Sequence, residues 1–132
     1  MAETVSSETG QITVRFDPAS RLLECRFEGR VGSAQLAEFA EAAIRESAGH
    51  TLRGVLFDAR ASTPAYSHGE MIDTLEQGLE AASPQRCAFL VSEMTEERQR
   101  QAVLLEAASV PFAVKVRAFT DEAEARSWAG GV

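Results

Sequence analysis

Two kinds of hydrophobic pattern occur along the chain, and they predict two kinds of β-strand. Apolar residues occupy every second position in the segments 12–16 and 23–27, which are separated by a polar turn at 17–20. This alternation is typical of a hairpin with one face on the core. The segments 55–57 and 87–91 are apolar at every position, which predicts strands buried on both faces. The segment 113–119 alternates again and predicts an edge strand.

Helical patterns lie between these strands. Apolar residues recur at helical spacing in the segments 36–44, 71–79 and 102–108, and each segment follows a serine or threonine that can cap a helix. Ser67 and Glu70 form the Ser-x-x-Glu pattern of a capping box. A fourth helix is predicted after Thr120, and Trp128 is the large side chain that would fix it to the body of the protein.

The order of these elements predicts an α/β fold. We expect a five-stranded mixed sheet, with the first strand antiparallel and the remainder mostly parallel, and about four helices. The chain of 132 residues has the length of one domain. Residues 1–10 are polar and are expected to be a flexible N-terminal leader, so that 11–132 form a single domain with strand 55–57 at its centre.

Composition and charge exclude several classes of partner. The formal net charge is −7 and Lys115 is the only lysine, which argues against nucleic acid because phosphate binding relies on clustered Lys and Arg. No apolar run approaches the length of a membrane span, and the polar segment 1–9 does not have the pattern of a secretory signal. We therefore expect a cytoplasmic protein with no integral membrane segment.

The cysteines and glycines do not predict a cofactor or a metal. Cys25 and Cys87 fall at inward positions of predicted strands, so we interpret them as reduced core residues rather than a disulfide or a nucleophile. Neither has a second Cys or a His close to it in sequence, as a zinc site would need. No glycine-rich phosphate loop occurs. We expect no metal and no cofactor.

A rim over the carboxyl ends of the strands is the expected functional site. Asp58 is predicted to end the central strand, and a loop then leads to the helix that begins near Ser67. We expect this rim to bind a partner protein or a small apolar ligand. The candidate residues of the rim are Asp58, Arg60, Tyr66, Ser67, His68 and Met94.

His68 is the rim residue with the most chemical potential. At a helix start it could bind an anion or transfer a proton, although most residues in such places are solvated surface groups. With Asp58 to orient it and a nearby hydroxyl as nucleophile it would supply the parts of a small hydrolase. The Gly-x-Ser-x-Gly elbow of α/β-hydrolases does not occur. We therefore name no catalytic residue and keep the hydrolase as the alternative.

The element order, the acidic end of the central strand, the Ser67-His68-Gly69 helix opening and the Phe119 to Trp128 ending together resemble a STAS domain. The chain is similar to small bacterial SpoIIAA-like proteins, whose fold is similar to the lipid-binding CRAL-TRIO domain. In the anti-sigma-factor antagonists of this family the helix opening resembles Asp-Ser-Ser-Gly, and its second serine is phosphorylated. Tyr66 and His68 stand at the acidic and phosphoacceptor positions of that motif.

The resemblance implies a binding or regulatory module, often a dimer, rather than an enzyme. We therefore expect a non-enzymatic STAS-like module that forms a homodimer and recognises a partner protein or a small apolar molecule. The identity of that ligand and the pathway are not encoded in any motif that we find.

Overall fold

The computed structural model describes residues 2–6 and 9–131. Strands and helices alternate through most of this part of the chain. The elements are β1 (Ala2–Ser6), β2 (Gly10–Asp17), β3 (Leu22–Gly32), α1 (Ser33–Ser47), β4 (Gly54–Ala65), α2 (His68–Ala82), β5 (Arg86–Leu90), α3 (Glu96–Ser109), β6 (Lys115–Phe119) and α4 (Glu122–Ala129), with a 3₁₀ turn at Val110–Phe112.

The described strands form one mixed sheet in which spatial order equals chain order, β1-β2-β3-β4-β5-β6. The pairs β1–β2 and β2–β3 are antiparallel, and the three following pairs are parallel. Each parallel crossover steps in the same direction across the sheet. Because such crossovers are right-handed, α1, α2 and α3 all pack on one face. The predicted mixed α/β fold with four helices is confirmed.

The strand count was too low by one, because part of the expected leader is a strand. Ala2–Ser6 pairs with β2 in antiparallel register, and Val5 is buried against the core. Glu3 also binds Arg45 of α1 through a 2.7 Å contact. Val5 has polar neighbours on both sides, so this segment shows no alternating pattern that would predict a strand. Its structure is determined by backbone pairing with β2 and by the Glu3–Arg45 ion pair. Residues 1, 7 and 8 of the expected leader lie outside the described residues.

The central position of the continuously apolar strand is confirmed. β4 lies between β3 and β5. Val55 and Phe57 pack with the core under α1–α3, while Leu56 belongs to a second apolar cluster under α4. The strand is apolar throughout this stretch because both of its faces are covered by helices.

β4 does not end at Asp58 as the sequence suggested. It continues to Ala65 beside β3, and the register shifts between Arg26 and Glu28. Beyond Asp58, β4 has β3 as its one strand neighbour among the described residues. Pro64 is tolerated there because a strand with a free edge needs fewer ladder hydrogen bonds. The small and polar residues that read as a loop are therefore the second half of a bulged strand.

α4 covers the opposite face of the sheet over its parallel half. The Trp128 ring packs on Phe119 with centroids 5.6 Å apart, and Arg86 donates a 2.8 Å hydrogen bond to the Trp128 carbonyl. A Cβ on Gly54 would lie 2.3 Å from the carbonyl oxygen of Ala129. Glycine at that position lets the helix backbone contact the strand directly. Within the described residues, no helix is both long enough and apolar enough to span a bilayer.

Candidate functional site

The residues expected to share one rim are divided between the two faces of the sheet. The Arg60 guanidinium, which holds Asp58, also binds Glu122 of α4. His68 instead begins α2 on the other face, where its Nε2 lies 3.1 Å from an oxygen of Glu97. The expectation that Asp58 and His68 meet at a common mouth is wrong. Side chains alternate between faces along a strand, so the position of Asp58 two residues after Leu56 places it on the α4 side.

Asp58 serves as a structural anion. Arg60 donates to both of its carboxylate oxygens at 2.9 and 2.8 Å and through its backbone N–H at 3.2 Å, while Arg26 lies 3.6 Å away. Burial alone would raise the pKa of Asp58, but the hydrogen bonds from Arg60 outweigh it and hold that pKa below its usual value. Asp58 therefore stays ionised at neutral pH and is bound by its own neighbours.

These pairs extend into a ladder of alternating charges that holds α4 to the sheet. Arg60 binds one oxygen of Glu122 at 2.7 Å, and Arg126 binds the other at 2.8 Å. Arg126 also reaches Glu24 of β3 at 2.7 Å. Hydrogen bonds from Arg126 and Arg60 lower the pKa of Glu122. Because each charge faces one of opposite sign, this part of the predicted rim is better suited to holding a helix than to receiving a ligand.

The start of α2 has the predicted capping box. The Ser67 hydroxyl accepts from the Glu70 backbone N–H at 3.1 Å, and the Glu70 carboxylate accepts from the Ser67 backbone N–H at 2.9 Å. Ser67 is thus used as a helix cap. His68 forms the surface pair with Glu97 described above, and Met94 is 41% exposed in the turn before α3.

Tyr66 is the predicted rim residue that turns toward the interior. Its ring packs against the core formed under α1–α3, and burial raises the pKa of its phenol. Together with Met71 it lines a cavity inside the protein. Tyr66, which the sequence predicted to lie on the rim, is therefore part of the core and of the cavity wall.

The cavity has a volume of about 90 Å³ and lies between the sheet and helices α1 and α2. Its wall is almost entirely apolar. The strands contribute Leu23, Cys25, Val55, Phe57, Cys87 and Phe89, and the helices contribute Phe39, Ala43, Leu75 and Leu79. A wall of this kind offers water few hydrogen-bond partners.

The cavity reaches the surface along the seam between α1 and α2. Small residues face each other there, with Ala40 and Ala43 on α1 and Gly78 and Ala82 on α2. No atom lies within 4 Å of the place where a Cβ on Gly78 would stand. Ile44, which the sequence placed on the core stripe of α1, is 38% exposed at this seam. Gly78 therefore borders free space at this seam.

Both thiols are part of the cavity wall, and the prediction that they are core residues is confirmed. Cys25 and Cys87 are free and buried. Burial raises the pKa of Cys25 strongly and the pKa of Cys87 to about 12. At neutral pH both groups are protonated thiols that behave as small apolar side chains.

Sequence reasoning missed the cavity, although one of its signals stands in the chain. Gly78 lies in the helical segment 71–79, where glycine costs about 1 kcal/mol relative to alanine. Combined with the alanines of α1, it could have indicated a thin helix–helix seam. Among the described residues no group of three or more His, Cys, Asp or Glu side chains is arranged to hold a metal ion.

Comparisons with known proteins agree with this architecture. No protein-family model and no curated protein matches the chain. Among solved structures, it is similar to an uncharacterized protein of the DUF3478 family with a SpoIIAA-like fold from Shewanella loihica PV-4. The TM-score is 0.66 at 17% sequence identity, and the match covers 94% of this chain and 98% of the other. The chain thus has a SpoIIAA-like fold.

Proposed function

We propose that the protein is a non-enzymatic binding module that takes a small, largely apolar molecule into the cavity between the sheet and helices α1 and α2. The observation that carries this proposal is an apolar cavity that is lined by the small residues Ala40, Ala43 and Gly78 along the seam between α1 and α2. Concave, apolar, preformed sites are the usual form of small-molecule pockets in proteins.

The packing of the core supports this proposal. Protein interiors are ordinarily filled to crystal-like density, so an apolar space that reaches the surface loses dispersion contacts on every wall. Leu23 and Phe89 on the sheet and Leu75 on α2 are among the side chains that border it. A bound apolar molecule would restore those contacts and stabilise the protein.

The size of the cavity limits its occupant. A dry apolar cavity of about 150 Å³ holds a molecule as large as benzene, and the cavity here is about 90 Å³. The enclosed part therefore suits a short alkyl chain or one side of a small ring. The remainder of a larger ligand would lie in the mouth between Ile44 and Gly78.

Two features favour binding over hydrolysis. Asp58 and His68, the parts of the alternative hydrolase, hold different partners on different faces of the sheet. The Ser67 hydroxyl is occupied as a helix cap. A partner protein at the rim over the carboxyl ends of the strands, a homodimer and a cytoplasmic location stay predictions from the sequence.

The proposal is tested by titrating the protein with octanol and following the methyl resonances of Leu23, Val55 and Leu75 by NMR. We expect saturable shifts of these cavity methyls. Gly78→Leu would place a side chain in the mouth, and we expect it to weaken octanol binding by about tenfold or more.

Ala81→Leu is the matched control, because it adds the same side chain to an exposed position of α2. We expect its octanol affinity to stay within about twofold of the wild type. Absence of saturable shifts in the wild-type protein would refute the proposed function. Equal binding to both variants and the wild type would show that octanol sits elsewhere.

A further inference from the structure

An arginine lies beside the cavity wall near the bulge of β4. Arg98 of α3 donates from Nη2 to the carbonyl oxygens of Ala59 at 3.0 Å and Ser62 at 2.9 Å. It donates from Nη1 to the buried amide oxygen of Gln101 at 3.0 Å. These contacts hold the guanidinium in one place rather than leaving it as a mobile surface group.

The same guanidinium borders residues that line the cavity. Its central carbon lies 5.9 Å from the ring centroid of Phe89. Phe89, Ala59 and Tyr66 are all part of the cavity wall. The phenol of Tyr66 lies close enough to interact electrostatically with Arg98. A molecule that fills this end of the cavity would therefore have a fixed positive charge beside it.

The charge of Arg98 is incompletely compensated. The guanidinium is half-buried, and the nearby carboxylate of Glu97 interacts with it electrostatically but forms its ion pairs with His68 and Arg100. The hydrogen bonds of the guanidinium are to neutral carbonyl and amide oxygens. Arg98 also lies in the first turn of α3, where the helix dipole disfavours a cation. An anion at this point would relieve both the burial of the charge and its unfavourable helix position.

We infer that the ligand of the cavity is an amphipathic carboxylate, with its apolar part between the sheet and α2 and its carboxylate on Arg98. This inference rests on the proposed function, and it adds the chemical class of the ligand. Three N–H groups of Arg98 are used by described protein acceptors. A guanidinium has five, so the Nε–H and one N–H of Nη1 remain, and one of these can donate to an oxygen of the carboxylate.

The surrounding charges favour a carboxylate over a doubly charged anion. Glu96 and Glu97 are in the same first turn of α3, and the chain carries a formal net charge of −7. A dianion such as a phosphate ester would meet more repulsion from these groups than a single carboxylate would. The small size of the cavity likewise suits a short acyl chain or an aromatic acid.

The test compares octanoate with octanol, which have the same chain length and differ in charge, by NMR titration at neutral pH. In the wild-type protein we expect octanoate to bind about tenfold more tightly than octanol. In Arg98→Gln we expect that preference to disappear while octanol binding is retained, which also shows that the variant is folded. Arg98→Lys keeps the charge and should keep part of the preference.

Arg100→Gln is the matched control, because Arg100 is an exposed arginine of the same helix that pairs with Glu97. It should leave the preference for octanoate unchanged. Equal affinity for octanoate and octanol in the wild type, or a preference that survives in Arg98→Gln, would overturn the inference and leave the proposed function standing. Binding of neither molecule would remove both.

Discussion

The two faces of the sheet hold their helices in different ways. Under α1–α3 the contacts are apolar, the residues along the seam between α1 and α2 are small, and a cavity of about 90 Å³ remains. Under α4 an apolar cluster that includes Leu56 and Leu90 is combined with a ladder of ion pairs, and Gly54 lets the helix backbone contact the strand. The face under α1–α3 contains an apolar cavity, whereas α4 is fitted closely to its strand at Gly54 and leaves a more polar depression beside Asp58 and Arg126.

This difference shows which part of the protein is available for binding. Where charged and polar groups already satisfy one another, a ligand has to displace good contacts before it gains any. Where apolar walls face empty space, a ligand adds contacts without breaking others. This difference favours the face under α1 and α2 as the place of the proposed ligand, and the ion pairs of the other face hold α4.

The sharpest test of the comparison removes a leucine from each face. Leu90 is fully buried under α4, whereas Leu23 borders the cavity. We expect Leu90→Ala to lower the free energy of unfolding by about 4 kcal/mol and Leu23→Ala by about 2.5 kcal/mol, because a side chain beside empty space has fewer contacts to lose. Urea unfolding measures both values. Equal losses would mean that the two faces are equally well packed.

Gly54→Ala tests how closely α4 is fitted. The new Cβ would lie 2.3 Å from the Ala129 carbonyl oxygen and 3.0 Å from that of Arg86, both of them backbone atoms. We expect the free energy of unfolding to fall by about 3 kcal/mol as the helix is pushed off the strand. Gly69→Ala is the control, because its nearest atom would be 3.8 Å away, and we expect a change within about 0.5 kcal/mol.

Asp58→Asn tests how much the ion pairs of the ladder stabilise the protein, because their contribution depends on pH. The folded-state pKa of Asp58 lies below its ordinary value. The ionised carboxylate therefore stabilises the folded protein fully above the pKa of the unfolded state, and this stabilisation is lost as pH falls through the folded-state pKa. We expect the variant to be about 2 kcal/mol less stable than the wild type at neutral pH. The difference should shrink below about pH 4. Unfolding curves over a pH series measure it.

Asp73→Asn serves as the matched control for this prediction, since Asp73 is exposed on α2. Its stability difference from the wild type should be small at every pH. A difference for Asp58→Asn that does not vary with pH would contradict the assignment of Asp58 as an ionised anchor of the ladder.

Gly78→Ala is the smallest change, and its predicted effect has the opposite sign. Nothing lies within 4 Å of the added methyl group, and alanine is favoured over glycine inside a helix. We expect the free energy of unfolding to rise by about 1 kcal/mol. Thermal unfolding with and without octanol measures both stability and occupancy. Destabilisation would mean that the seam between α1 and α2 is already closed.

Local patterns were sufficient to predict most of the fold. Strand 55–57 is central, Ser67 and Glu70 form the capping box, and Trp128 fixes α4, as expected. Each of these features depends on neighbours in sequence or on burial of a continuous apolar run, and both are visible in the chain itself. The strand at Ala2–Ser6 was missed because its pairing partner, rather than its own residues, determines it.

The site depended on relations between distant segments. Asp58 was expected to end the central strand, but β4 continues beside β3 to Ala65 and places Asp58 and Arg60 in the ladder under α4. Tyr66 was singled out for its place near a helix start and instead lines the cavity. The contacts of Arg98 with the carbonyls of Ala59 and Ser62 join residues that are far apart in sequence, so the sequence did not predict them.

The sequence by itself determined the succession of strands and helices, because alternation, apolar runs and helix caps act over a few residues. Only the tertiary structure decided which face each charged side chain occupies and where the core is left unfilled. Those outcomes depend on strand register and on how the volumes of α1 and α2 fit together over the sheet. No local pattern encodes such a sum of volumes, so the cavity and its mouth at Gly78 became visible only in three dimensions.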